Sequence, residues 1–229
     1  MNEWAQPGTV VAIVPAAGLG ERLGMGPKAF LKVGGKTLIS HVAEILRPCV
    51  DRLLIALPDA YMSMVEADLS EIAEIYPGGK SRHATIESIL PHCREDIVTI
   101  HDLSRPFASR DLIRRVIAAA KKEGAAVTCC EPRNPVSRCV NGYVVDALPT
   151  ADLRQCQTPL AFSREILERA YQMARARKIE TPTTYELVLM LGVPVVAVAG
   201  EESNVKVATR FEWEVANALD WKRVLGQMQ

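Results

Sequence analysis

Short, almost wholly apolar runs recur along this chain with helical patterns between them, and this alternation restricts the fold more than any other feature. The runs are Val10–Val14, Leu53–Leu57, Ile97–His101, Ala125–Cys130 and Pro194–Ala199. A strand that is apolar on both faces needs cover on both, which a parallel sheet flanked by helices supplies. The intervening segments read as those helices. Leu38, Ile39, Val42, Ile45 and Leu46 fall at helical spacing after Thr37, an N-cap residue, and Leu112, Ile113, Val116 and Ile117 repeat the pattern after Ser109. A last helix is expected from about Phe211 to Val224, with Trp213, Ala216 and Leu219 on one face, Trp221 nearby, and the aromatics serving packing. The class is α/β, with a mostly parallel sheet.

One segment breaks the alternation. Between Pro132 and Pro159, Arg138–Val140 and Tyr143–Ala147 flank Asn141-Gly142, a dipeptide suited to the two-residue turn of a β-hairpin. A lone hairpin cannot bury both its faces, so this arm, about residues 132–159, is expected to meet a second subunit. The 229 residues otherwise suit one domain, 1–229, with a single core.

Composition narrows the partners. Lysine plus arginine number 27 and aspartate plus glutamate 27, so no net field draws nucleic acid or an anionic membrane. The six cysteines contain no Cys-x-x-Cys pair, and Cys129 and Cys130 are neighbours within a strand. Reduced thiols in a cytoplasmic protein are expected, rather than a zinc site or a disulfide framework. No apolar run is long enough to span a bilayer.

The first strand leads into Pro15-Ala16-Ala17-Gly18-Leu19-Gly20-Glu21-Arg22, followed by Pro27-Lys28. Small residues let backbone groups approach a polyphosphate, and Arg22 and Lys28 add two cations where negative charge would collect. Two commoner phosphate loops fail on spacing. The dinucleotide fingerprint needs a glycine three residues after Gly20, where Leu23 stands; Gly35-Lys36-Thr37 and Gly79-Lys80-Ser81 lack the earlier Walker glycine, having Phe30 and Glu74 instead.

Ligands of open α/β sheets gather beyond the carboxyl ends of the strands. There Asp102 follows Ile97–His101, as a carboxylate able to hold magnesium beside phosphate oxygens or, alternatively, as a turn residue before Pro106. Gly78-Gly79 precedes Ser81, Arg82 and Thr85 at a helix start, and Lys206 sits among apolar residues in Ser203-Asn204-Val205-Lys206-Val207.

Taken in order, Pro15–Arg22, Pro27-Lys28-Ala29-Phe30, Gly78-Gly79 with Arg82, His101-Asp102 with Arg105-Pro106, Gln157-Thr158-Pro159 and Asn204-Val205-Lys206-Val207 resemble the 2-C-methyl-D-erythritol 4-phosphate cytidylyltransferase family from Val10 to about Leu219. The resemblance implies a Rossmann-like domain, a homodimer formed through the arm, CTP as donor and Mg2+ as cofactor. It implies that Arg22, Lys28 and Lys206 stabilise the reacting phosphates. Pro15, Ala16, Ala17, Gly18, Gly20, Gly79, Arg82, Thr85 and Asp102 would bind the nucleotide, with Asp102 also holding the metal. Arg105 and Thr158 would meet the acceptor.

The departures cluster in the arm. Asn134-Pro135 stands where the family has aspartate and threonine, and Thr150 where it has an arginine, a bidentate phosphate clamp that threonine cannot mimic. Arg154 is the nearest replacement, and Glu186 is the nearest carboxylate to Thr183-Thr184, where an acidic residue is also missing. Near the nucleotide, Lys80 replaces an acidic residue. Three readings follow: transfer of CMP to 2-C-methyl-D-erythritol 4-phosphate, transfer to another acceptor such as ribitol 5-phosphate or a hydroxyalkylphosphonate, or an inert nucleotide-binding dimer. Four charged side chains suited to a transition state, Arg22, Lys28, Asp102 and Lys206, argue against the last.

Overall fold

The computed structural model describes residues 8–20, 24–65, 67–181 and 183–219. In chain order the elements are β1 (Val10–Pro15), β2 (Lys32–Val33), β3 (Lys36–Thr37), α1 (Leu38–Leu46), β4 (Arg52–Leu57), α2 (Ala67–Ile72), β5 (Glu74–Pro77), α3 (Arg82–Ile89) and β6 (Ile97–Ile100). There follow α4 (Arg110–Glu123), β7 (Ala125–Cys130), β8 (Val136–Val140), β9 (Tyr143–Leu148), β10 (Gln155–Ser163), α5 (Arg164–Arg177), α6 (Thr184–Met190), β11 (Val196–Ala199) and α7 (Arg210–Ala218).

Seven strands form the main sheet in the order β11-β7-β10-β6-β1-β4-β5. Pairings are parallel except those of β10, which runs antiparallel to both β6 and β7. The runs in β1, β4, β6 and β7 are two-sided, as their composition requires, but the last, in β11 at the sheet edge, is covered on one face only and leaves Ala197 and Ala199 exposed. Ala12, Val14, Leu53 and Ile55 pack with α1 and α4 on one face, whereas Val11, Ile13, Leu54 and Ala56 pack with α3, α5 and α6 on the other. Helix starts follow local chemistry. Thr37, Ser81, Ser109 and Ser163 cap α1, α3, α4 and α5 through their side-chain oxygens, and Gly124, at φ +87, ends α4 in a conformation that costs glycine little.

Two strands of the main sheet escape the apolar-run criterion. β5 is a short edge strand, half exposed, so its sequence Glu-Ile-Tyr-Pro need not be apolar. β10 begins with polar residues and carries Pro159, which has no N–H for the ladder, and its register against β7 shifts between Gln157 and Leu160. The hydroxyls of Thr128 and Thr99 compensate by donating to the carbonyls of Pro159 (2.7 Å) and Leu160 (2.9 Å). The chain from Gln155 onward therefore belongs to the main sheet, and the excursion outside it is the hairpin β8–β9. Asn141 and Gly142 both have positive φ, +51 and +84, as the two-residue turn demands.

The helix expected from about Phe211 appears as α7, which ends at Ala218, and residues 220–224 of the expected span lie outside the described residues. α7 starts at a capping box formed by Thr209 and Glu212, Ala216 is buried and Trp213 Nε1 donates to the Lys32 carbonyl, but Leu219 stays exposed. Trp221 lies outside the described residues. Among those residues, no helix is long and apolar enough to cross a membrane.

Candidate active site

The chain proceeds from β1 to β4 and β5 on one side and returns to β6 on the other, so a topological switch point lies between β1 and β6. The loops after β1, β5 and β6 open there. Because β10 is antiparallel, its beginning, Gln157-Thr158, arrives at the same edge.

Asp102, just past β6, is the centre of charge. Its Oδ1 accepts from Arg82 Nε (3.0 Å) at the start of α3, and its Oδ2 accepts from Lys206 Nζ (3.0 Å). Burial alone would raise the carboxyl pKa, but Arg82 and then Lys206 outweigh it and hold the group well below the usual carboxylate range. Its backbone N–H donates to Thr158 Oγ1 (2.9 Å), which joins β6 to β10. The preceding His101 is fully buried, and its Nε2 lies 2.9 Å from the Arg105 carbonyl, an acceptor, so Nε2 carries the proton and Nδ1 faces the Thr158 hydroxyl at 3.4 Å. Burial lowers its pKa to about 4, so the ring is neutral near pH 7.

Lys206 is presented by a clamped segment. Asn204 Nδ2 donates to Gln157 Oε1 (3.0 Å) and to the Thr158 carbonyl (2.8 Å), while the Val207 N–H donates to the Ser104 carbonyl (2.7 Å). Arg105 donates to the Asn204 carbonyl (2.6 Å); its buried Nε has no hydrogen-bond partner among the described residues, and burial lowers its pKa.

The glycine loops meet at close range. A Cβ on Gly78 would fall 2.3 Å from Ala17 Cβ, so the two loops approach closely because position 78 carries no side chain. The Gly79 N–H donates to Thr85 Oγ1 (3.0 Å), whose own proton goes to the Ser81 carbonyl (2.8 Å). The Ala16 N–H is bonded to the Ala56 carbonyl (2.8 Å). Gly20, at φ +74, turns the loop back against Gly26 and Lys28.

Two pockets share this edge. One, of about 320 Å³, is walled by Pro15–Gly18, Lys28, Gly79, Thr85 and Asp102, and another, of about 240 Å³, by Arg105, Cys156, Thr158, Thr183 and Tyr185. Arg82, Asp102 and Lys206 line both. A cleft of about 1100 Å³ adjoins them beside α7 and the arm's base.

The expected residues Pro15, Ala16, Ala17, Gly18, Lys28, Gly79, Arg82, Thr85, Asp102 and Lys206 therefore surround one pocket, and Arg105 and Thr158 line the other. Gly20 lines an adjoining space with Lys28 and Gly79. Arg22 lies outside the described residues. Arg154 borders the large cleft, but its guanidinium donates to the carbonyls of Ala151 (2.8 Å) and Leu153 (2.7 Å) in its own loop. Glu186 is bonded by the Thr181 hydroxyl and does not line the small pocket. Tyr185 and Cys156 are additions, while Thr183 and Thr184, noted in the sequence for a missing acidic residue, both reach the site: Thr183 lines the small pocket and Thr184 Oγ1 accepts from Arg82 (3.1 Å). The signal in the sequence is faint because Tyr185 sits on α6, only seven residues long, and Cys156 in the polar start of β10.

The chain and its fold have known relatives. A family model described as 2-C-methyl-D-erythritol 4-phosphate cytidylyltransferase (IspD) matches residues 10–220. The protein of that name from Thermus thermophilus is 35% identical over 210 residues, 92% of this chain and 96% of its own, and the one from Deinococcus radiodurans is 32% identical over 208 residues, 91% and 88%. The crystal structure of the Thermus protein aligns with a TM-score of 0.81 at 32% identity, covering 92% of this chain and 98% of that one. A structure from Anaerococcus prevotii shares the fold, with a TM-score of 0.82 at 24% identity over 92% and 95%. The chain belongs to the 2-C-methyl-D-erythritol 4-phosphate cytidylyltransferase family.

Proposed function

We propose that the pocket beside the glycine loops takes CTP, that the smaller pocket takes 2-C-methyl-D-erythritol 4-phosphate, and that CMP passes between them where Arg82, Asp102 and Lys206 line both. That shared wall is the observation that carries the reading. An oxygen of the acceptor phosphate attacks the α-phosphorus of CTP, the bond to the β-phosphate oxygen breaks, and pyrophosphate leaves. The acceptor is already an anionic nucleophile, so no side chain need remove a proton. His101, buried and held neutral by its surroundings, accordingly serves as a strut for Asp102 and Arg105.

Charge accumulates on the phosphates in the transition state, and preorganised cations lower its energy. Lys28 meets the triphosphate from the glycine-loop side and Lys206 from the opposite wall; Arg22 is assigned with Lys28 on the family resemblance. Lys206 Nζ is held by Asp102 while its side chain remains 42% exposed, so it can exchange a carboxylate for a phosphate oxygen. The amides of Ala16 and Gly79 and the hydroxyl of Thr85 are already bonded within the protein, so their contribution is to shape the loops. Ala17 and Gly18 offer the backbone to base and ribose. Arg105 and Thr158 face the acceptor.

Asp102 is the residue that would hold Mg2+. A carboxylate kept ionised by its neighbours is a suitable hard oxygen ligand, and one carboxylate with phosphate oxygens and water is a usual donor set for this ion. When bound it neutralises phosphate charge.

The hairpin leaves Tyr143 75% and Val144 69% exposed. This apolar surface supports a homodimer formed through the arm, with the second subunit completing the acceptor side where Thr150 provides no cation. Six free thiols suit a reducing compartment, the cytoplasm. The test is pyrophosphate release with CTP and magnesium against 2-C-methyl-D-erythritol 4-phosphate, ribitol 5-phosphate and a hydroxyalkylphosphonate. The first is expected to have the highest kcat/KM; a preference for either of the others overturns the acceptor assignment. Sedimentation of a monomer at working concentration overturns the arm's role.

A further inference from the structure

Cys129 and Cys156 stand directly opposite each other on the antiparallel strands β7 and β10, with their Sγ atoms 3.7 Å apart. Both thiols are free. Directly opposed residues on such strands have Cα atoms about 4.5–5.5 Å apart, within the span of a disulfide, so side-chain rotation can bring the sulfurs to bonding distance. The two sites differ in access. Burial, and then the neighbouring Cys156, push the Cys129 thiol up to about 12, whereas Cys156 is exposed and lines the 240 Å³ pocket. Cys156 lines that pocket together with Tyr185, and it immediately precedes Gln157 and Thr158, which bind Asn204 and the Asp102 backbone. Neither cysteine lines the pocket beside the glycine loops.

We propose that Cys129 and Cys156 form a dithiol modification site that a peroxide converts into a cross-strand disulfide, weakening acceptor binding while leaving the nucleotide pocket intact. The Cys156 thiolate attacks one oxygen of hydrogen peroxide, and the O–O bond breaks with loss of hydroxide, which takes up a proton to become water, leaving a sulfenic acid. Cys129 sulfur then attacks Cys156 sulfur, the S–O bond breaks, and the departing oxygen leaves as a second water with the Cys129 proton. Two thiols are oxidised by two electrons and one peroxide is reduced. Drawing the Cys156 sulfur towards β7 moves it away from the pocket it lines with Tyr185 and reshapes that wall. The kinetic consequence rests on assigning that pocket to the acceptor; the disulfide does not.

The test treats the full chain with stoichiometric hydrogen peroxide, alkylates the remaining thiols and maps linked peptides by tandem mass spectrometry, which separates Cys129 from Cys130. Loss of two thiols per chain as a Cys129–Cys156 link is expected. KM for 2-C-methyl-D-erythritol 4-phosphate should rise at least threefold with the dissociation constant for CTP unchanged, and dithiothreitol should reverse both the link and the rise. Cys129→Ala, which leaves the acceptor pocket lining in place, should abolish the link. Pairing of Cys156 with another cysteine, no loss of the two thiols, or a disulfide with unchanged KM overturns the proposal. Failure of the reduced enzyme to use the acceptor would instead overturn the pocket assignment, and the mass measurement would still decide the dithiol.

Discussion

Replacing Asp102 by asparagine tests the ionic centre with almost no change in shape. The Arg82–Asp102 contact joins side chains only 25% and 16% exposed, and a hydrogen bond to a charged group in such a setting contributes about 1.5–3 kcal/mol. The Lys206 contact is more exposed, at 42%, and adds about 0–1 kcal/mol. Asparagine retains one acceptor but turns an N–H2 towards a cation, so Asp102→Asn should cost about 2–3 kcal/mol at pH 7. With a urea slope of about 3 kcal/mol/M, the unfolding midpoint would fall by roughly 1 M. The acid dependence provides a second check. The folded pKa of Asp102 is depressed, so its contribution is complete above the unfolded value of about 3.9 and fades as pH falls below it. Between pH 5 and pH 3, the gap between wild type and variant should therefore narrow by about 1 kcal/mol. A variant as stable as wild type at pH 7, or a gap unchanged at pH 3, would show that the Arg82–Asp102–Lys206 contacts do not stabilise the fold.

Other perturbations separate chemistry from scaffold. Lys28→Ala should lower kcat by about 10²–10³-fold with an unchanged circular dichroism spectrum, since it removes a cation aimed at developing charge; steady-state rates near wild type would remove Lys28 from the mechanism. Gly78→Ala places a Cβ 2.3 Å from Ala17 Cβ, so the loops must separate, and calorimetry should show CTP binding weakened about tenfold or more with stability reduced by about 1–3 kcal/mol. The His101 ring should show no NMR titration between pH 5 and pH 8. Because its folded pKa is lowered to about 4 from 6.5, its linked stability is complete above about pH 6.5 and declines as the pH drops towards 4.

Legibility in the sequence followed burial. β1, β4, β6 and β7 announce themselves because both of their faces are covered, and composition then carries the signal. β5 at the edge and β10 with its proline do not, although β10 brings Thr158 to Asp102. For the site, ordered motifs located Lys28, Asp102 and Lys206, each next to a strand end or a short loop. What they could not convey was partnership. That Asp102 binds both Arg82 and Lys206, 20 residues before it and 104 after it, is a property of the switch point rather than of any local pattern. Arg154 illustrates the converse: sequence proximity to Thr150 offered a replacement cation, but its guanidinium bonds to its own loop carbonyls within this chain. Tyr185 and Cys156 lie on a short helix and on the polar start of β10, where periodicity has little to report.

Transfer of CMP at the wall shared by the two pockets is read out by 31P NMR of the enzyme with CTP, magnesium and 2-C-methyl-D-erythritol 4-phosphate. Two coupled diphosphate resonances from a cytidine diphosphate ester are expected, appearing in equal amount with pyrophosphate. Persistence of CTP and acceptor signals with enzyme present, or formation of CDP by transfer of the γ-phosphate, would contradict that transfer.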